Sequence, residues 1–187
     1  MAKPRADFPL FSVLGVQTTI APTGLAALGI ALFGLAGLAA VWSRLPLGEA
    51  LLAGAASTAS MYLGEWLHQM GHAVAARRVG HPMRALHFRS ILAVSEYPAD
   101  EPALPAAVHI QRALGGFWVN LVIGLFLAPY AFFLSFGGGA LAWAVNFAVF
   151  YNGVVLGLGA LVPIDIPGVL TTDGATLLHY GRQRRGG

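Results

Sequence analysis

The chain has 187 residues, of which 57% are hydrophobic and 10% charged, with a mean hydropathy of +0.69. Soluble domains carry about a quarter charged residues, so a disordered chain, a nucleic-acid-binding domain and an ordinary cytosolic enzyme are excluded. The sequence pI of about 9.7 rests on a net charge of only +3, too small an excess to mark a nucleic-acid patch, and the absence of cysteine rules out disulfides and thiolate chemistry. What remains is an integral membrane protein whose residues 1–187 form a single domain.

In chain order, Phe8 to Ile20 has strand-like character. Ala21 to Trp42 runs 22 residues without a charge, enough to cross a hydrocarbon core of about 30 Å and too long for a signal-peptide core. A second apolar stretch, 47–76, is interrupted by Glu49, Glu65, His68 and His72. The segment 77–112 mixes β-branched, aromatic and polar residues from Met83 to Ser95, which predicts one or two short strands. It then passes through the proline-rich Tyr97 to Pro105, which predicts a loop. Between Arg112 and Asp165 lie 52 uncharged residues. Gly137, Gly138 and Gly139 divide them into spans at 113–136 and 140–162. The predicted fold class is an all-α membrane protein of about four transmembrane helices (21–42, 47–76, 113–136 and 140–162). A small β-strand and loop element is expected at the cytoplasmic face.

With four spans, Lys3, Arg5, Arg77, Arg78, Arg84, Arg89, Arg112, Arg182, Arg184 and Arg185 fall on one side and Arg44 alone on the other. The positive-inside rule then makes both termini and the 77–112 segment cytoplasmic, in a multi-pass protein expected in the cell membrane.

Ionisable groups inside spans are costly and mark function. His68 and His72 are four residues apart, so both imidazoles lie on one helix face and can reach one metal ion. Glu65 lies on the same span, and Asp173 follows the fourth. His68-Gln69-Met70-Gly71-His72 with the following AVAARRVG resembles the H-E-x-G-H-A-x-x-A-x-x-x-G helix of the site-2 protease family of integral membrane zinc metallopeptidases. Gly116-Phe117-Trp118-Val119-Asn120 is similar to that family's G-P-x-x-N element, with Phe117 in the proline position. Pro163 to Gly174 (PIDIPGVLTTDG) resembles its P-x-x-P…D-G element. VLGVQTTIAPTGLAAL near the N-terminus is similar to the strand and first span that commonly begin these proteins. The resemblance implies zinc held by His68, His72 and Asp173, with Asp165 as a competing third ligand. It also implies a supporting role for Asn120 near substrate or water, and cleavage of membrane-spanning substrates by zinc-activated water.

One position departs from that pattern. Where the family has the glutamate that takes a proton from zinc-bound water, this chain has Gln69. An amide hydrogen-bonds water but does not accept its proton near neutral pH, and loss of general acid–base help costs about 10²–10⁴ in rate. Three accounts stay open: an engineered substitution that traps substrate, a pseudoprotease that binds zinc and membrane peptides without cutting, or replacement of the base by Glu65. Glu65 is expected one turn deeper and on the opposite flank of the histidine pair from Gln69.

Three further histidines, His81, His87 and His109, lack metal-ligand spacing and are expected at the surface, and His179 near the ligands. The expected partners are a transmembrane protein or peptide and the lipid bilayer, with no nucleic acid and no small-molecule cofactor. A four-helix haem protein is a third possibility. It needs a facing histidine on another span, and 113–162 contains none.

Overall fold

The computed structural model describes residues 7–167 and 170–186. Lys3 and Arg5, which enter the orientation count, and Gly168 and Val169 of the proline-containing element lie outside the described residues. Strand β1 (Phe8–Val13) turns through Leu14 and Gly15 into β2 (Val16–Ile20). Both turn residues have positive φ, 53° and 79°, as a two-residue hairpin whose twist matches its strands requires. Helix α1 (Pro22–Trp42) opens with proline at its first position, where the missing N–H costs no hydrogen bond.

Helix α2 (Leu47–Arg78) is followed by β3 (Ala85–Phe88) and β4 (Ala93–Glu96). Helix α3 (Ala106–Ser135) ends where Gly138 and Gly139, at φ 70° and 83°, reverse the chain into α4 (Gly139–Val149). The span expected over 140–162 is helical as far as Leu161 but changes its winding. Beyond Val149 the backbone widens into a π-helical segment, Phe150–Leu158, and then tightens into a 3-10 turn, Gly159–Leu161. A short hairpin, β5 (Asp165–Ile166) and β6 (Leu170–Thr171), leads to α5 (Asp173–Gly186).

The β element is larger than expected, because the N-terminal hairpin joins the strands of the 77–112 segment. The sheet order is β1-β2-β3-β4, with β2 and β3 parallel and the other pairs antiparallel. It rests on the second half of α2: Val16, Ile20, Leu86 and Phe88 pack with Met70, Ala73 and Trp66. Trp66 Nε1 donates to Thr18 Oγ1 at 3.2 Å, and Tyr62 Oη donates to the Gly24 carbonyl at 3.0 Å.

Among the described residues, three helical stretches are long and apolar enough to cross a membrane: Pro22–Trp42, Ala106–Ser135 and Gly139–Leu161. Helix α2 is the longest of all, with 32 residues, but is not among them. Glu49, Ser57, Thr58, Glu65, His68, Gln69 and His72 lower its apolar character. Its position explains why that is tolerated. It packs against α1, α3, α4 and the π-helical segment, so Ser57, Thr58, Glu65, His68 and His72 are buried in protein, not in lipid. Meanwhile Ile30, Phe33 and Val41 of α1 and Leu125, Phe126 and Phe133 of α3 face outward. That inversion, polar inside and apolar outside, is what a bilayer selects.

Candidate metal centre

Close approach of α2 and α3 builds the site. A Cβ on Gly71 would strike the carbonyl of Gly115, a Cβ on Gly115 that of Gly71, and one on Gly116 the Nε2 atoms of both His68 and His72. Small residues at a crossing let backbones meet. Here they bring α3 against the two imidazoles.

Each ring then has one nitrogen committed. His72 Nδ1 lies 2.8 Å from the Arg112 carbonyl oxygen, which only accepts, so this nitrogen carries the proton. His68 Nδ1 lies 2.9 Å from Asn120 Oδ1. The Asn120 amide is oriented by its Nδ2, which donates to the Gly64 carbonyl at 3.0 Å, so Oδ1 faces His68 and His68 Nδ1 is also the protonated nitrogen. Both rings therefore turn a bare Nε2 lone pair inward. The two Nε2 atoms are 3.1 Å apart.

Asp173 completes the group. Its Oδ1 is 3.2 Å from His72 Nε2, and its Oδ2 is 3.5 Å from His68 Nε2. The three ligand atoms lie within 4.8 Å of one another, and Asp173 Oδ2, though buried, has no hydrogen-bond partner among the described residues. Two lone pairs and a carboxylate converging in a buried space repel one another unless a cation joins them. Imidazole nitrogens oriented by a hydrogen bond at their other end are the usual metal ligands. The donor set fits a divalent metal of the zinc type. Gly174 makes the placement of Asp173 possible, because a Cβ there would collide with the Leu161 carbonyl. The start of α5 thus sits directly on the 3-10 turn.

Asn120 thus meets His68 at its outer nitrogen. Gln69 and Glu65 lie elsewhere, and on the same flank as each other, which corrects the expectation of opposite flanks. Three residues back along a helix of 100° per residue is a rotation of −300°, equivalent to +60°. Gln69 Nε2 donates to Glu65 Oε1 at 3.2 Å and to the Ala93 carbonyl at 3.2 Å, and Gln69 Oε1 accepts from Ser95 Oγ at 2.6 Å. Glu65 Oε1 also accepts the Ala93 N–H at 3.0 Å. Both side chains are tied to β4.

The other marked residues stand apart from the cluster. Asp165 is exposed in β5, accepting from Thr171 Oγ1 at 2.7 Å. His81 pairs with Glu101 at 3.6 Å, and His109 stacks on Tyr180 at 4.0 Å. His87 bridges Thr19 and Glu96 across the sheet. His179 meets Gln183. Three contributors carry no signal in the sequence. Arg112, counted above only as a topological charge, supplies a carbonyl to His72. Ser95 binds Gln69. Asn152, on the π-helical segment, binds Asn120.

The fold and site together define a membrane helix bundle with a sheet packed on α2 and a largely buried His-His-Asp group where α2, α3 and α5 meet. No family model matches the chain, and no curated protein matches it. Among solved structures, it is similar to the site-2 protease of Methanocaldococcus jannaschii, with a TM-score of 0.63 at 17% sequence identity, over 97% of this chain and 74% of that one. The chain therefore has the fold of a site-2 protease.

Proposed function

We propose that this chain is a four-span zinc metalloprotein of the site-2 protease type, which engages membrane-spanning peptides and whose hydrolysis of them is attenuated at Gln69. The observation that carries this reading is the convergence of His68 Nε2, His72 Nε2 and the Asp173 carboxylate with both Nδ1 protons already spent. Bound there, zinc would supply Lewis-acid polarisation of a peptide carbonyl and a water acidified to about pKa 7. Helix α2, roughly 48 Å long at about 1.5 Å per residue, supplies the fourth span. Its length exceeds the hydrocarbon thickness of about 30 Å, so the end bearing His68 and His72 reaches the interface marked by Arg77, Arg78, Arg84 and Arg89. The positive-inside rule makes that face cytoplasmic, in a cell-membrane protein with both termini on the same side.

The protein's own groups limit the chemistry. Gln69 stands where a base would stand and offers an amide, which takes no proton from water. Glu65 is the nearest carboxylate, but its Oε1 already accepts two N–H bonds, from Ala93 and Gln69. A second reading, a pseudoprotease that binds metal and peptide without cutting, is favoured by the fit of the Gln69 amide. Both faces of its NH2 group meet acceptors, and its oxygen meets a hydroxyl.

Metal analysis of the purified protein should find about one zinc per chain, lost in His72→Ala; haem, or no metal, would overturn the zinc proposal. A transmembrane model substrate should then be offered to the native chain and to Gln69→Glu. Slow cleavage by the native chain that rises about 10²-fold or more in the variant supports attenuated hydrolysis. Cleavage by the variant alone, or by neither protein, favours the pseudoprotease, and equal cleavage by both removes Gln69 as the limiting residue.

A further inference from the structure

Asn152 lies within the π-helical segment, is 2% exposed, and sits on the far side of Asn120 from the histidines. An asparagine among apolar neighbours at this depth is costly unless every polar atom is used. Here both ends of its amide are used. Asn152 Nδ2 donates to the Ala148 carbonyl at 2.9 Å, and Asn152 Oδ1 accepts from Asn120 Nδ2 at 2.9 Å.

A run of orientations follows from that carbonyl together with the carbonyl of Gly64. The Ala148 oxygen only accepts, so the Asn152 nitrogen must face it and the Asn152 oxygen must face Asn120. Asn120 then meets two acceptors, Asn152 Oδ1 and the Gly64 carbonyl, with its NH2 group. Its own oxygen is left for His68 Nδ1, which must donate, and His68 Nε2 is bare toward Asp173. We infer that Asn152 is a positioning residue that, as the second acceptor beside the Gly64 carbonyl, locks the Asn120 amide and so holds the tautomer of His68 that presents Nε2 as a ligand. This rests on the reading of His68, His72 and Asp173 as a metal site.

The backbone is shaped to admit this side chain. A Cβ on Gly64 of α2 would collide with Asn152 Oδ1, and a Cβ on Gly124 of α3 would collide with the Cα of Gly153. Both glycines clear a slot where the segment presses in. The wide π turn begins at Phe150, two residues before Asn152, and such local widenings recur where a helix must present a side chain for function. A residue that only filled volume would need neither the slot nor both ends of an amide.

The test uses the full chain in detergent micelles with ring-15N histidine. Its six histidines make a readable set, with His68 assigned by substitution. In the metal-free native protein the proton of neutral His68 should reside on Nδ1. In Asn152→Leu, which keeps the volume and removes one of the two acceptors, the Nε2–H tautomer should appear as a minor population, since the Gly64 carbonyl still holds Asn120, and zinc affinity should fall about three- to tenfold. That is below the 10–100-fold typical of residues touching a ligand directly. Asn152→Asp should restore both readouts where its carboxyl is protonated, since that form donates to Ala148 and accepts from Asn120.

A space-filling role predicts the opposite order, with leucine native-like and aspartate impaired. Native tautomer and affinity in Asn152→Leu would overturn the inference. So would a proton on His68 Nε2 in the native protein, a measurement that holds even if the leucine variant does not fold. Failure of the native chain to bind zinc, with the tautomers as described, would instead sink the metal reading and leave the positioning of His68 intact.

Discussion

On the α3 flank of helix α2, His68 and His72 give their Nδ1 protons to fixed acceptors and keep bare Nε2 lone pairs inside. On the β4 flank, one residue along from His68, Gln69 places its NH2 between two acceptors and its oxygen against a donor. The first flank is left electron-rich and unsatisfied, which is a demand for a cation. The second has both ends of its amide satisfied within the protein, and the amide is no base. A hydrolytic metal site needs lone pairs in both places, one set for the metal and one for the proton. The difference between the flanks separates metal binding from proton transfer, and the two should respond separately to substitution.

The largest effect should come from the α3 flank. Gly116→Ala introduces a methyl group into the space of both Nε2 atoms. Overpacking of this kind costs about 1–3 kcal/mol, and here its relief requires moving α3 away from the ligands. Zinc affinity measured by competition with a chelator should fall by about 10²-fold or more, beyond the 10–100-fold typical of residues that merely orient a ligand. The β4 contacts of Gln69 should be unaffected. An alanine variant with native zinc affinity would show that the helix contact does not define the site.

The β4 flank answers to a double-mutant cycle. Gln69→Glu turns a donor into an acceptor facing Glu65 and the Ala93 carbonyl, which should cost about 1–3 kcal/mol as an unsatisfied buried contact. Adding Glu65→Gln returns a donor to the pair, and the double variant should recover about 1 kcal/mol or more as coupling energy. Unfolding of the four proteins in mixed micelles gives the cycle directly. Additive effects would mean that Gln69 and Glu65 do not share the bond seen here.

Much of this was readable in the sequence, and what was not has a physical pattern. The apolar runs, the break at Gly137 to Gly139 and the strand character of Phe8 to Ile20 are properties of neighbouring residues, so they are written locally. The i, i+4 spacing of His68 and His72 is local in the same way. Asp173 is distant, and attention falls on it through the resemblance of Pro163 to Gly174, not through any periodicity. The parallel pairing of β2 with β3, the carbonyl of Arg112 behind His72 and the amide of Asn152 behind Asn120 join residues far apart in the chain, and no spacing rule reaches them. The π-helical winding from Phe150 is likewise invisible, since its residues are as apolar as those of an ordinary helix.

A smaller effect should appear at the start of α3, where Arg112 couples the loop of the 77–112 segment to the candidate metal centre. Its guanidinium binds both carboxylate oxygens of Glu101, donates to the His81 carbonyl at 2.7 Å and stacks over Tyr97 at 4.1 Å. The hydrogen bonds from Arg112 hold the Glu101 carboxyl below its usual range. A depressed carboxylate stabilises the fold fully above its unfolded value of about 4.3, and that contribution is lost as pH falls through the lower folded value. Between about pH 5 and 3 the native protein should therefore lose about 1 kcal/mol more than Glu101→Gln, a figure kept small by solvent screening of the partly exposed pair. Parallel acid titrations of Tm for the two proteins would contradict the clamp.

The smallest effect is expected at Asp165, which the sequence leaves in competition with Asp173. In the structure Asp165 pairs with Thr171 across the β5–β6 hairpin, and its carboxylate is exposed and accepts the threonine hydroxyl. Asparagine keeps an acceptor for that bond, so Asp165→Asn should change stability by less than about 0.5 kcal/mol, as surface substitutions do. Zinc stoichiometry should not change. Asp173→Asn removes the one negative charge from the ligand cluster, where its Oδ2 is buried without a hydrogen-bond donor to replace the metal, and should lower zinc affinity markedly. Measured side by side, the two variants weigh a carboxylate aimed at the histidines against one aimed at solvent. Equal zinc loss in both would mean that α5 does not deliver the third ligand, while loss in Asp173→Asn alone would assign that ligand to the start of α5.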